Sequence, residues 1–183
     1  MREGIFLIAV FLLFSCSGPS APKGLKSQIA DLELRIDSLE KQNSRENVAL
    51  LNESRQKLAM AYESYADENK DTDSIQSEEY LALAASLYQN TLQQLDKALA
   101  LNDKIIADYP ESERAIFALF NKGYIYNNYI RDTSMAKSIY TDFIAKYPNH
   151  KLATDASVEL QFLGKSAKEM LEEIQKRNQE ESE

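Results

Sequence analysis

The sequence predicts an all-α fold, an array of helical hairpins (an α-solenoid) preceded by a short N-terminal coiled-coil helix. Three observations predict it. From Leu25 onward only Gly123, Gly164, Pro110 and Pro148 interrupt the chain, so breakers of regular structure are scarce. Apolar residues then recur at heptad spacing over residues 25–43. Finally, a segment of the chain repeats itself 38 residues further on. The composition agrees: 183 residues, 44% hydrophobic and 27% charged, are the proportions of a folded globular chain of one or two domains. A formal charge of -8 argues against nucleic acid or an anionic membrane surface as an electrostatic partner. One Cys and one His exclude a zinc site built from several such ligands and any disulfide within the chain.

The first element is an address. Ile5 to Phe14 is an unbroken apolar run of ten residues, about half the length that crosses a bilayer as a helix, and it fits a secretory signal. Leu13-Phe14-Ser15-Cys16 follows, and Cys16 is the only cysteine. The apolar-x-small-Cys pattern resembles the bacterial lipobox. That resemblance implies cleavage between Ser15 and Cys16, a diacylglyceryl group on the thiol and acylation of the new amine. Several acyl chains on one residue anchor a protein stably, at roughly 0.8 kcal/mol per buried CH₂. Residues 1–15 are then a cleaved signal, and 16–24 a lipidated Cys with a flexible tether rich in Ser, Gly and Pro. Ser17, rather than an acidic residue, follows the Cys. By the same resemblance this favours the outer membrane, with the protein facing the periplasm.

Residues 25–44 form the expected coiled-coil helix. Leu25, Ile29, Leu32, Ile36, Leu39 and Asn43 are spaced 4, 3, 4, 3, 4. Ile at a, Leu at d and a polar a position suit a two-stranded parallel seam with a second copy. The other reading of the same stripe is docking against the chain's own C-terminal part. After Asn43 the stripe changes phase to Val48, Leu51, Leu58, Tyr62 and Tyr65, which places a boundary at Ser44–Asn47.

Residues 46–164 carry the repeats. Tyr88 and Tyr126, Ala98 and Ala136, Tyr109 and Tyr147, and Pro110 and Pro148 are each 38 apart. One copy reads Leu81, Ala84, Ala85, Tyr88, Ala98, Asn102, Pro110, and the next Leu119, Lys122, Gly123, Tyr126, Ala136, Tyr140, Pro148. This resembles the tetratricopeptide repeat, a pair of antiparallel helices per unit. Small residues let the two helices approach, the tyrosines fill the space between them, and proline ends each unit. The departures are Asn102 at an aromatic position, Lys122 at a Leu position, and the period of 38 itself. Leu58, Tyr62 and Tyr65 match the second helix of an earlier, degenerate unit, followed by a loop over Asp67–Ser77. After Pro148, Ala153, Ala156, Leu160 and Leu163 mark a further helix closed by Gly164. Ser166-x-x-Glu169 is a capping box for a last helix, within 165–183, whose Met170, Leu171 and Ile174 would cap the array before an acidic tail.

Phosphate-binding, dinucleotide, zinc-protease and nucleophile-elbow motifs are absent, and no cofactor or metal is expected. The chain therefore reads as a binder of proteins or peptides rather than an enzyme. Stacked hairpins present their first helices on a concave face. Asn121, Tyr124, Asn127, Asn128 and Tyr129 make that part of the second repeat rich in residue types that combine apolar contact with hydrogen bonding. They are the candidate peptide groove; the other reading has the tyrosines packing on neighbouring helices and the asparagines facing water. A signal, a short coiled coil and such repeats together resemble the periplasmic coiled-coil/repeat proteins of the Tol-Pal system. That implies an adapter coordinating envelope constriction with wall synthesis. The lipobox with repeats also resembles the repeat lipoprotein of the β-barrel assembly machine, which implies a role in outer-membrane protein assembly. An enzyme or solute-binding lipoprotein is the reading from a different class.

Overall fold

The computed structural model describes residues 24–180. Ser15, Cys16 and the expected signal lie outside the described residues, as do the last three positions of the tail. Eight α-helices follow one another, with no strand among the described residues: α1 (Leu25–Gln42), α2 (Val48–Asn69), α3 (Ser74–Asn90), α4 (Leu95–Asp108), α5 (Glu113–Ile125), α6 (Thr133–Lys146), α7 (Lys151–Phe162) and α8 (Ala167–Glu180). Each of α1 to α6 packs on the next, the layout of an all-α helical-hairpin array of tetratricopeptide type.

The first hairpin is α1 with α2. Three polar contacts run antiparallel along it: Lys26 to Asp73 at 3.1 Å, the Tyr62 hydroxyl donating to Glu33 at 2.6 Å, and Arg55 donating to Glu40 at 2.7 Å. Between these rungs the apolar stripe of α1 is covered by the chain itself. Ile29 and Leu39 are buried, and Leu25, Leu32 and Ile36 lie against the core that Leu58, Tyr62 and Tyr65 share. One narrow stripe can be buried only once, and α2 offers a longer complementary face than a second copy of an 18-residue helix would. The seam residues are thus occupied within the chain in this structure. Asn43 sits at no a position of a seam. It ends α1 in the left-handed conformation (φ 43°), which Asn tolerates better than most residues. Ser44 then accepts the Glu46 N–H and starts a single 3₁₀ turn, Arg45–Asn47, that reverses the chain.

The expected loop at Asp67–Ser77 is a correction. Helix α2 runs on to Asn69 and α3 begins at Ser74, so only Lys70–Asp73 connect them. Polar residues there are exposed faces of two helices, not a breaker; Asp67 and Lys70 bridge to Lys104 and Asp108 of α4 at 2.6 and 2.5 Å.

The two clear repeats are built alike down to single hydrogen bonds. Tyr109 N–H donates to Ile105 O at 2.9 Å and Tyr147 N–H to Phe143 O at 2.8 Å. Ser112 N–H then donates to Tyr109 O, as His150 N–H does to Tyr147 O. Pro110 and Pro148 follow the two tyrosines and hold them out of the helical region. Ser112 caps α5 by accepting the Ala115 N–H at 3.0 Å, and the Nδ1 of His150 caps α7 by accepting the Leu152 N–H at 3.2 Å. After α5 the chain widens into one π-helical turn, Tyr126–Ile130, closed by left-handed Arg131 (φ 66°).

Two apolar clusters result. The first joins α1 to α5; the second joins α6 and α7 and takes Ile116, Leu119 and Phe120 from α5. Helix α8 belongs to neither. Its capping box forms, with Ser166 N–H donating to Glu169 at 2.7 Å and Glu169 N–H to Ser166 Oγ at 3.3 Å. Past Gly164 (φ 75°), however, Glu173 and Arg177 reach back to Gln161 in the last turn of α7, and Glu173 also pairs with Lys165. Leu171 and Ile174 stay exposed, so α8 does not close the array as the sequence suggested. Its hydrophilic composition leaves too narrow an apolar stripe to bury.

Candidate peptide-binding groove

Helices α3, α5 and the start of α7 stand side by side and enclose a groove of about 700 Å³. That is the size of cavity that holds a side chain and its neighbours on a peptide. Small residues give it depth: Ala82, Ala85 and Ser86 on α3, Ala118 on α5. Phe117 stands in it 55% exposed, and Ile105 and Leu152 complete the apolar wall. Four carboxamides, Gln89, Asn90, Asn102 and Asn121, line it as well. Asn121 Nδ2 donates to Gln89 Oε1 at 2.9 Å, and Asn102 Nδ2 donates to Ala98 O at 2.8 Å within its own helix.

The rim is charged and mostly paired. Glu113 meets His150 Nε2 at 3.1 Å, and Arg114 reaches Glu78 at 3.5 Å and Glu79 at 3.8 Å. Lys151 is exposed and has no ion-pair partner among the described residues. Both ring nitrogens of His150 are engaged, one in the cap and one with Glu113. Carboxamides neither gain nor lose protons at ordinary pH, so what they offer a ligand is hydrogen bonding.

The groove exists because the two repeats differ at one facing pair. In the α5/α6 hairpin Gly123 faces Tyr140, whose fully buried ring occupies the space a Cβ would need. Burial pushes the Tyr140 hydroxyl pKa up, with nearby Glu159 adding to it. Thirty-eight residues earlier the pair is Ala85 and Asn102. No ring fills that place, and both residues line the open cavity. Of the two interhelical tyrosines the repeat predicts, Tyr88 is fully buried, while Tyr126 is half-buried at the start of the π-helical turn. Tyr88 and Tyr62 donate to Glu63 and Glu33, each at 2.6 Å, and burial followed by these carboxylates raises both hydroxyl pKa values.

Of the five groove residues expected from sequence, only Asn121 lines the cavity. Asn127 donates to Glu159 of α7 at 3.1 Å, Asn128 to Tyr124 O at 3.2 Å, and the Tyr129 hydroxyl to Asn90 of α3 at 3.3 Å. Tyr124 and Tyr129 meet edge to face at 6.1 Å. Asn127 and Tyr129 thus tie the π-helical turn to α7 and α3, and Asn128 ties it back to Tyr124 at the end of α5. Sequence reasoning missed Phe117, Ala82, Ala85 and Asn102 as one site. The signal was present: a lost aromatic at Asn102 beside several small residues. Among the described residues no three His, Cys, Asp or Glu side chains are placed to hold a metal ion, and no helix is long and apolar enough to cross a membrane.

Residues 117–150 match the tetratricopeptide repeat family. No curated protein and no solved structure matches the chain. The matched stretch runs from Phe117 in the groove to the cap of α7, and spans the second repeat with its closing Pro148. With the hairpins described above, it makes the chain a tetratricopeptide-repeat-containing protein with an all-α helical array.

Proposed function

We propose that the chain is a non-enzymatic, lipid-anchored scaffold of the bacterial envelope, held on the periplasmic face of the outer membrane through Cys16. In this reading it grips a segment of a partner protein between α3, α5 and α7. The observation that carries the binding role is the groove itself, with Phe117 exposed among carboxamides that have hydrogen-bonding capacity to spare. A large exposed aromatic in a concave site is the kind of anchor on which interfaces concentrate their energy. The lipobox-like Leu13-Phe14-Ser15-Cys16 supports the anchor. The likeness to Tol-Pal-associated repeat proteins supports an adapter coordinating constriction with wall synthesis.

Photocrosslinking tests it in the native envelope. A benzophenone amino acid at Phe117 should capture a discrete partner, while the same group at exposed Lys137 on α6, outside the groove, should not. Division or Tol-Pal proteins in the adduct support the adapter; β-barrel assembly subunits would move the assignment to outer-membrane protein assembly. Equal capture from both positions, or none from Phe117, refutes the groove.

A further inference from the structure

The polar part of the groove is unfinished in a specific way. Asn102 is only 3% exposed, yet with its Nδ2 turned back to Ala98 O its Oδ1 has no partner among the described residues. Gln89, 5% exposed, accepts from Asn121, and its Nε2 hydrogens have no acceptor among the described residues. So one acceptor and one donor, on residues that are otherwise almost wholly covered, open onto a cavity whose apolar walls include Ala85, Ile105, Ala118 and Phe117. A ligand that covers these atoms without pairing them takes away their access to water, and one that pairs both does not. The neighbouring hairpin shows what the design holds at this level: the ring of Tyr140, covered on one side by Phe120 at 5.4 Å.

We infer that the groove accepts a tyrosine side chain presented by the partner segment. This rests on the reading of the groove as a partner site. The ring lies between Ala85, Ile105 and Ala118, with Phe117 against it. The phenol O–H donates to Asn102 Oδ1, and the phenol oxygen accepts from Gln89 Nε2. Ala85 carries a Cβ where the second repeat has none, so the guest ring sits further toward the open side than Tyr140 does over Gly123. Phenylalanine or leucine fills the apolar part but leaves both amides unpaired. A charged side chain finds only neutral amides at the floor, the charges of Glu113, Arg114 and Lys151 standing at the rim. Tyrosine matches both the walls and the floor.

The test uses the full chain and N-acetyl-tyrosinamide, with N-acetyl-phenylalaninamide and N-acetyl-leucinamide beside it, followed by NMR of the side-chain amides. The tyrosine compound should shift the Asn102 and Gln89 resonances saturably. The phenylalanine compound should bind about tenfold more weakly, the equivalent of one net hydrogen bond. Asn102→Ala should reduce tyrosine binding to the phenylalanine level while leaving phenylalanine binding unchanged. Ser86→Trp, at an exposed rim position that leaves the core intact, should abolish binding of all three. Absence of saturable shifts, equal binding of the tyrosine and phenylalanine compounds, or shifts that persist in Ser86→Trp overturns the inference. If Phe117 crosslinks a partner while the tyrosine compound fails, the scaffold stands and the tyrosine assignment falls. If both fail, both fall.

Discussion

Replacing Gly123 with Ala sets two known effects against each other. A methyl there would lie 2.6 Å from Tyr140 Cε1 and 2.9 Å from Cδ1 and Cζ. The ring has nowhere to retreat: Tyr140 is fully buried, with Phe120 at 5.4 Å and Ala136, Phe143 and Ala156 in the same cluster. Overpacking of this kind costs about 1–3 kcal/mol. Against it, Ala gains about 1 kcal/mol over Gly in a helix interior. The net expectation is a loss of up to about 2 kcal/mol, at about 2–4 °C per kcal/mol in melting temperature for a chain this long. Guanidinium denaturation followed by far-ultraviolet circular dichroism reads it. The decisive comparison is the same substitution in a Tyr140→Leu background. The ring is gone there, and Gly123→Ala should become stabilising by about 1 kcal/mol. A midpoint that rises with Gly123→Ala in the wild type, or that falls equally in both backgrounds, refutes the close-approach argument.

Three further outcomes are expected. Ile29→Ala should cost about 2–4 kcal/mol, as for other buried aliphatic truncations, without changing the sedimentation of residues 17–183; a wild-type dimer that this substitution dissolves would refute burial of the stripe within one chain. The Tyr65 hydroxyl and then Lys26 hold the Asp73 carboxyl below its usual range, so the folded state binds that proton less readily than the unfolded one. Its contribution is therefore present at neutral pH and disappears as pH falls through the folded-state value, and Asp73→Asn should flatten the acid limb of a stability-against-pH curve. Cys16→Ala should abolish incorporation of labelled fatty acid and release the protein from membranes; continued membrane retention rejects the anchor.

The repeats were legible because their marks are local and chemical. Pro110 and Pro148 stop helices wherever they stand, and Ala98 and Ala136 report close approach directly. The stripe of α1 was legible as a stripe, but periodicity records that a face is buried, not what covers it. Leu58, Tyr62 and Tyr65 mark α2 as the second helix of an earlier unit, but nothing in the sequence marks α1 as its first. Asp67–Ser77 misled for a related reason: charges that look like a loop serve as rungs to α4. The π-helical turn at Tyr126–Ile130 has no sequence rule, and Asn127, Asn128 and Tyr129 all lie on it, outside the cavity lining. The groove was half legible. Asn102 was visible as a departure from the repeat, but that a missing ring opens a cavity emerges only when the facing residue, Ala85, and the next helix are in place.

Helix α5 gives Ala115, Ala118 and Ile125 to one cluster and Ile116, Leu119 and Phe120 to the other. Its own hydrogen-exchange protection should therefore track whichever neighbour melts last, while α7 loses protection with the second cluster alone. It also carries Phe117, so an occupant seated there pulls on a splint shared by both halves. Tension entering through the N-terminal end would reach the bound segment before the C-terminal cluster feels it. Fraying of the far end would nonetheless open one side of the groove, because Leu152 at the start of α7 is part of its wall.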